Sequence, residues 1–353
     1  MCNTMITLCM IVKNEQDNLK KSLASVINIV DEIVIVDTGS EDNTRKIALE
    51  FTHKVYDFKW CKDFGKARNF SISKATNDWI LILDADEEIK FCDGESIRDF
   101  IIEGNNKLVG RISRKSIMDL GLDTKEYSER INRLFHRKYF FYEGTIHEQV
   151  VNIDRTSFET KNVDINIDHS GYTKEALNKT NKLLRNINLL NEALTTNPKD
   201  SYLSYQLGKS YYLLKDYNIA IINFEKAMSF NLNYKLEYVS NLIESYGYSL
   251  INSERYAEAL NLENYIKYYD NADFHFLMGL VYMNNAKFTL AVESFLKCSK
   301  FKTSKVQGIT SYLSFYNIGV IFDVLGFREK ATEYYRMCGN YEPAIQRLKC
   351  QLN

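Results

Sequence analysis

An apolar run that ends in alternating carboxylates, Ile82-Leu83-Asp84-Ala85-Asp86-Glu87-Glu88, is the segment of this 353-residue chain best suited to chemistry. Two carboxylates spaced two apart at a strand end can share one divalent ion, because the first stays on the ligand side while the turn redirects its partner. Mg2+ and Mn2+ take oxygen ligands and carry phosphates, so the pattern suits a nucleoside diphosphate. Taken alone, such a pair more often solvates a strand end or caps a helix. A second run, Val34-Ile35-Val36-Asp37-Thr38-Gly39-Ser40, ends the same way. Asp37 would then share the sheet edge and accept hydrogen bonds from a nucleobase imide or a ribose hydroxyl, with Ser40 or Asp42 capping the next helix. Neither GxGxxG nor GxxxxGKS/T occurs, which argues against a dinucleotide or P-loop site.

Elements that could position these residues alternate along the first half. Residues 5–12, 32–37 and 79–84 read as strands and 15–29, 42–51 and 64–74 as helices, a βαβ rhythm. The strands are apolar on both faces, so a parallel sheet covered by helices on each side is the economical architecture. Its ligands would bind beyond the carboxyl ends of the strands. Tyrosine use then changes: only Tyr56, Tyr127, Tyr139 and Tyr142 precede Tyr172, which places a domain boundary there, with units at 1–172 and 173–353.

In the second unit, Gly208, Gly247, Gly279 and Gly319 anchor a recurring pattern. Twelve residues after each stands Ala220, Ala259, Ala291 or Ala331, and sixteen after each stands Phe224, Glu263, Phe295 or Tyr335, the second repeat breaking the aromatic column. Small residues let antiparallel helices approach, and aromatics fill the space between them. Residues 342–352 read as a terminal cap.

Composition excludes several classes. With 45% apolar residues and two prolines the chain can bury a core, so disordered and collagen-like classes fall away. A net charge of -1 gives no field for nucleic acid or anionic membrane. No run reaches the ~18 apolar residues of a transmembrane helix. Seven cysteines without a CxxC pair indicate neither a disulfide framework nor a zinc cage, and fit a reducing cytoplasm.

Four motifs in order carry a resemblance: Thr7-Leu-Cys-Met-Ile-Val-Lys-Asn-Glu15, Val36-Asp-Thr-Gly-Ser-Glu-Asp-Asn-Thr44, Trp60-Cys-Lys-Asp-Phe-Gly-Lys-Ala-Arg-Asn69, and Leu83-Asp-Ala-Asp-Glu-Glu88. Together they resemble family 2 glycosyltransferases of the GT-A fold, in the branch fused to tetratricopeptide repeats that includes bacteriocin and peptide S-glycosyltransferases. The resemblance covers about the first 170 residues, with the repeats as architecture. It implies an α/β GT-A domain followed by all-α repeats, a UDP-sugar donor, a DxD-bound Mn2+ or Mg2+, and inversion at the anomeric carbon. By position, Ile11, Lys13, Asn14 and Glu15 would line the uridine, although the family often carries Pro-x-Tyr-Asn where Ile11-Val12-Lys13-Asn14 stands. Asp37 would read the base, Arg68 approach the phosphates or ribose, Asp84 and Asp86 hold ribose and metal, and Arg133 offset diphosphate charge or, equally, form a surface ion pair. In Glu143-Gly-Thr-Ile-His-Glu148 the resemblance places Glu148 as the base that takes the acceptor proton. A late histidine, His169, would be a third metal ligand and favour manganese, with His147 its rival. Trp60 and Asp63 would face the sugar or acceptor, or Trp60 the core.

The acceptor implied is a cysteine, serine or threonine of a peptide or protein presented by the repeats, which could also pair two subunits as a homodimer. Alternatives are a transferase building surface polysaccharide or glycolipid, a nucleotide-binding repeat scaffold without turnover, and, last, a nucleotidyltransferase.

Overall fold

The computed structural model describes residues 5–103, 107–119, 124–169 and 182–351 and divides into two compact units, Met1–Lys182 and Leu183–Asn353. The boundary expected at 172 lies outside the described residues; the units part after Lys182.

The first unit is built on strands β1 (Ile6–Val12), β2 (Glu32–Asp37), β3 (Val55–Asp57), β4 (Trp79–Ile82), β5 (Glu87–Cys92), β6 (Val109–Asp119), β7 (Thr124–His136), β8 (Phe140–Glu143), β9 (Gln149–Asn152) and β10 (Thr160–His169). Eight form one sheet in the order β3-β2-β1-β4-β7-β6-β10-β5, and β8 pairs with β9 as a separate ribbon. The pairs β2–β3, β1–β2 and β1–β4 are parallel, as expected. The other half corrects the all-parallel expectation: β7 runs antiparallel to β4 and β6, and β5 antiparallel to β10. Burial shows why. β1, β2 and β4 are buried on both faces, whereas Val163, Ile165, Ile167 and His169 of β10 are buried between more exposed neighbours, the alternation of a sheet with one face covered.

Two apolar layers enclose the sheet. Leu8, Met10, Ile35, Trp79 and Leu81 face helices α1 (Leu19–Val26), α2 (Thr44–Leu49) and α4 (Gly94–Glu103). Cys9, Val34, Ile80 and Ile82 face Ile72 of α3 (Phe64–Lys74) and Phe140, Tyr142 and Val150 of the ribbon. Of the three expected helices, α3 has the predicted bounds. α1 and α2 are shorter than 15–29 and 42–51, because the residues before each are consumed in lacing two loops together.

The second unit is helical. Helix pairs Ser201–Leu213 with Tyr217–Met228, Ala272–Asn284 with Phe288–Cys298, and Tyr312–Val324 with Arg328–Met337 follow one another, and Glu342–Gln351 closes the end with Ala344 packed on Ala331 and Tyr335. The anchor glycines show the packing rule. A Cβ on Gly208, Gly279 or Gly319 would stand 2.5–2.6 Å from the ring of Phe224, Phe295 or Tyr335, so the ring sixteen residues on lies flush against the glycine. In the second pair the position falls to Glu263; Leu262 takes the ring's place against Gly247, and the partner element is a short helix, Tyr256–Ala259, running into a 3-10 turn, Leu260–Tyr265. No helix among the described residues is long and apolar enough to cross a membrane.

Candidate active site

Sheet register brings the acidic residues to one edge. Val12 pairs with Asp37 and Cys9 with Ile82, so the loops after β1, β2 and β4 leave the sheet side by side. The first two loops are tied together. Asn14, with φ of 54°, donates its N–H to Ser40 Oγ at 3.0 Å and accepts the Glu41 N–H on Oδ1 at 2.8 Å. Glu15 N–H reaches Thr44 Oγ1 at 2.7 Å. Asp37 Oδ1 accepts the N–H groups of Gly39 and Ser40 at 2.9 and 2.8 Å, which fixes a buried carboxylate beneath the loop. Neither Ser40, engaged with Asn14, nor Asp42, which accepts the Thr44 N–H at 2.9 Å, is the N-cap of α2; Asn43 stands there without a side-chain cap bond. Ile11 is half-buried and Lys13 exposed.

The motif around Arg68 works through one face of α3. Asp63 caps the helix by accepting the Lys66 N–H at 2.8 Å, and Trp60 packs edge-on against Phe64 at 4.8 Å. Phe64 and Gly65 donate their N–H groups to the carbonyls of Thr145 and Gly144. Only glycine permits that approach, because a Cβ at Gly65 would stand 2.7 Å from the Gly144 carbonyl oxygen. One turn on, Asn69 grips the main chain of Tyr142, donating to its carbonyl at 2.7 Å and accepting its N–H at 2.9 Å. The helix is thereby bonded to the segment carrying Glu148.

Arg68 lies on that face. Its Nε donates to Glu148 Oε1 at 2.5 Å and its Nη2 to Asp84 Oδ1 at 2.7 Å. Asp84 Oδ2 accepts from Arg133 Nη2 at 2.8 Å, and the same nitrogen lies 3.0 Å from Glu87 Oε1. Arg114 continues from Glu87 at 3.3 Å to Glu129 at 2.5 Å. Seven alternating charges, Glu148–Arg68–Asp84–Arg133–Glu87–Arg114–Glu129, thus form a continuous chain. Burial opposes ionisation, but Arg133 and Arg68 hold the Asp84 carboxyl well below the usual range, and the carboxylates keep both guanidiniums above theirs.

Several residues expected at the donor take part in this arrangement. Arg68, expected at the donor phosphates or ribose, pairs with the half-buried Asp84 and Glu148, and Arg133, expected to offset diphosphate charge or form an ion pair, pairs with Asp84 and the buried Glu87. Asp84, expected among the metal ligands, has both oxygens engaged by guanidiniums, because antiparallel β7 aligns Leu134 with Leu81 and brings Arg133 alongside the end of β4. Asp86 turns the other way. Its Oδ2 lies 3.4 Å from His169 Nε2 and 3.4 Å from Lys182 Nζ, while His169 Nδ1 and Ser116 Oγ are 3.2 Å apart. Burial would raise the Asp86 carboxyl, but the His169 bond and the Lys182 charge bring it down to about 2. Glu15, expected at the uridine, is held above the usual carboxylate range by burial and, against its bond from Asn18, by the charges of Asp86 and Asp84. Among the described residues no three or more His, Cys, Asp or Glu side chains gather as a metal cage. His147 stands in the left-handed region with φ of 50° within the 144–148 loop.

Asn69, Tyr142, Glu87 and Arg114 were not singled out in the sequence. Asn69 closes a quoted motif and Glu87 follows the DxD, so position marked both. Nothing local marks Tyr142 or Arg114.

Residues 7–153 match the family model Glycosyl transferase family 2, and 202–234 and 272–304 match Tetratricopeptide repeat. A TPR repeat-containing protein of Synechococcus elongatus is 33% identical over 58% of this chain and 51% of its own length. The SPbeta prophage-derived glycosyltransferase SunS of Bacillus subtilis is 30% identical over 65% of this chain and 54% of its own length. The chain thus spans about half the length of the curated relatives it matches. Among solved structures, YrrB, described as a TPR protein with an unusual peptide-binding site, aligns with a TM-score of 0.41 at 22% identity, covering 50% of this chain and 88% of that one. The chain joins a glycosyl transferase family 2 domain to tetratricopeptide repeats.

Proposed function

We propose that the chain is a metal-dependent, inverting glycosyltransferase that moves a sugar from a UDP-sugar to a cysteine, serine or threonine of a peptide or protein. The observation that carries this reading is that Asp37 and the Asp84–Asp86 pair stand at the carboxyl ends of β2 and β4, with Glu148 tied to Asp84 through Arg68, within a family 2 domain. Asp37, pinned by Gly39 and Ser40, reads the base or ribose. Asp86 and His169 would hold the cation. One carboxylate and one imidazole leave coordination positions for diphosphate oxygens and suit Mn2+ better than Mg2+. Bound there, the cation supplies Lewis-acid stabilisation of the departing diphosphate. Glu148 takes the acceptor proton during attack, and the Arg68 Nε–H fixes the orientation of its carboxylate. The repeats support a peptide or protein acceptor, since solenoid surfaces accommodate extended chains.

The test is incubation of the purified chain with UDP-glucose, UDP-galactose and UDP-N-acetylglucosamine, with Mn2+ or EDTA, and with serine and cysteine peptides. UDP release that needs the metal, and that Glu148→Gln abolishes for serine peptides, is the expected result. Failure to bind or turn over any UDP-sugar overturns the reading.

A further inference from the structure

Two buried polar atoms beside the charged chain lack any hydrogen-bond partner: Nη1 of Arg68 and the hydroxyl of Tyr142. Tyr142 is 5% exposed and Arg68 7%. They stand on different elements, β8 and α3, which Asn69 bonds together, and the Arg68 guanidinium carbon lies 5.4 Å from the centre of the Tyr142 ring. The ring also packs edge-on against Phe135 at 5.8 Å, which sets its direction. The phenol is buried, and the charges of Arg133, Arg68, Glu148 and Asp84 bear on it. Buried polar groups are ordinarily paired, and two orphans on side chains that touch each other point to a group that completes both.

The chemistry of that group follows from what is already paired. Nη1 can only donate, and a phenol can donate or accept, so the incoming atom is an oxygen with lone pairs to spare. Charge separates the candidates. Arg68 is already met by two carboxylates, Asp84 and Glu148. A phosphate oxygen would bring a third negative group to an arginine whose single charge two carboxylates already meet, whereas a neutral hydroxyl satisfies both orphans without one. We propose that Tyr142 is a specificity-determining residue: its hydroxyl, with Arg68 Nη1, receives one uncharged hydroxyl of the donor's sugar ring. This assignment rests on the glycosyltransferase reading. It places the sugar, not the diphosphate, against Arg68, and it makes the configuration at one ring carbon the feature the site reads.

The experiment compares wild type and Tyr142→Phe by calorimetry with Mn2+, using UDP, whichever of UDP-glucose, UDP-galactose and UDP-N-acetylglucosamine binds wild type tightest, and the monodeoxy analogues of that sugar. Tyr142→Phe is expected to weaken the intact UDP-sugar about three- to tenfold, leave UDP unchanged, and lose nothing further on the one analogue lacking the recognised hydroxyl. Thermal unfolding of the variant reports any structural loss separately. An equal penalty on every analogue, or a matching loss for UDP alone, overturns the assignment while leaving the transferase reading standing. Failure of wild type to bind UDP or any UDP-sugar sinks the transferase reading itself and this assignment with it.

Discussion

Replacing Asn69 tests whether α3 and the Glu148 segment are held together as argued. The side chain makes two bonds to the main chain of Tyr142, at 2.7 and 2.9 Å. Each is worth about 0.5–1.5 kcal/mol net, so Asn69→Ala is expected to cost about 1–3 kcal/mol, more if the amide and carbonyl stay dry. Asn69→Asp should be worse than Asn69→Ala, because a carboxylate oxygen would face the Tyr142 carbonyl oxygen across the contact now made by Nδ2. Local hydrogen exchange read by mass spectrometry is the direct assay. The peptide spanning 140–150 should lose protection, while peptides from β1 and β4 keep theirs. Since the same segment carries Glu148, kcat/KM for the transfer should fall at least tenfold with KM changing less, the mark of a misplaced catalytic group. Unchanged exchange at 140–150 in Asn69→Ala, or an Asn69→Asp variant as stable as wild type, would refute the reasoning.

Two further outcomes follow from the packing and the ionic contacts. Gly279→Ala should destabilise the second unit by about 1–3 kcal/mol in urea unfolding, since its Cβ would stand 2.6 Å from the Phe295 ring; a gain of stability from the better helix former would contradict the packing rule. Burial opposes ionisation of Glu32, yet bonds from Lys54, Thr7 and Thr76 bring its carboxyl from 4.5 to about 2, so the stability it contributes is full above pH 4.5 and lost as pH falls through about 2. The stability gap between wild type and Glu32→Gln should therefore close over that interval, and a gap constant with pH would show that the contacts are not ionic.

Much of this was legible in the chain because the decisive signals are local. Runs of apolar residues at β1, β2 and β4 mark strands buried on both faces, and Asp63 with Lys74 bracket α3 at its observed ends. Likewise Asp37 and the Asp84–Asp86 pair lie at the rim because Asp37 ends β2 and Asp84 comes two residues after β4. The antiparallel half was hidden because pairing of β7 with both β4 and β6 is a choice among distant partners, although the alternation in Val163-Asp164-Ile165-Asn166-Ile167 did distinguish β10 from the continuous runs. The fate of Asp84 was hidden for the same reason. Its two guanidinium partners come from positions 16 and 49 residues away, and no spacing rule links them. The tetratricopeptide spacing was readable in Gly208, Gly279 and Gly319, where the glycine and its ring lie one helical hairpin apart.

The alternating chain from Glu148 to Glu129 has a consequence for how this domain can change. Each interior member bridges two neighbours of opposite charge, so removing one leaves two like charges each short of a partner, with about 3–5 kcal/mol, the figure for a broken buried pair, as the upper bound of the cost. Substitutions there should survive only as compensated exchanges, an acid and its arginine together, which makes the network a ratchet against stepwise drift. Anyone redesigning the donor preference would do well to begin at the uncharged neighbours and leave the ionic thread whole.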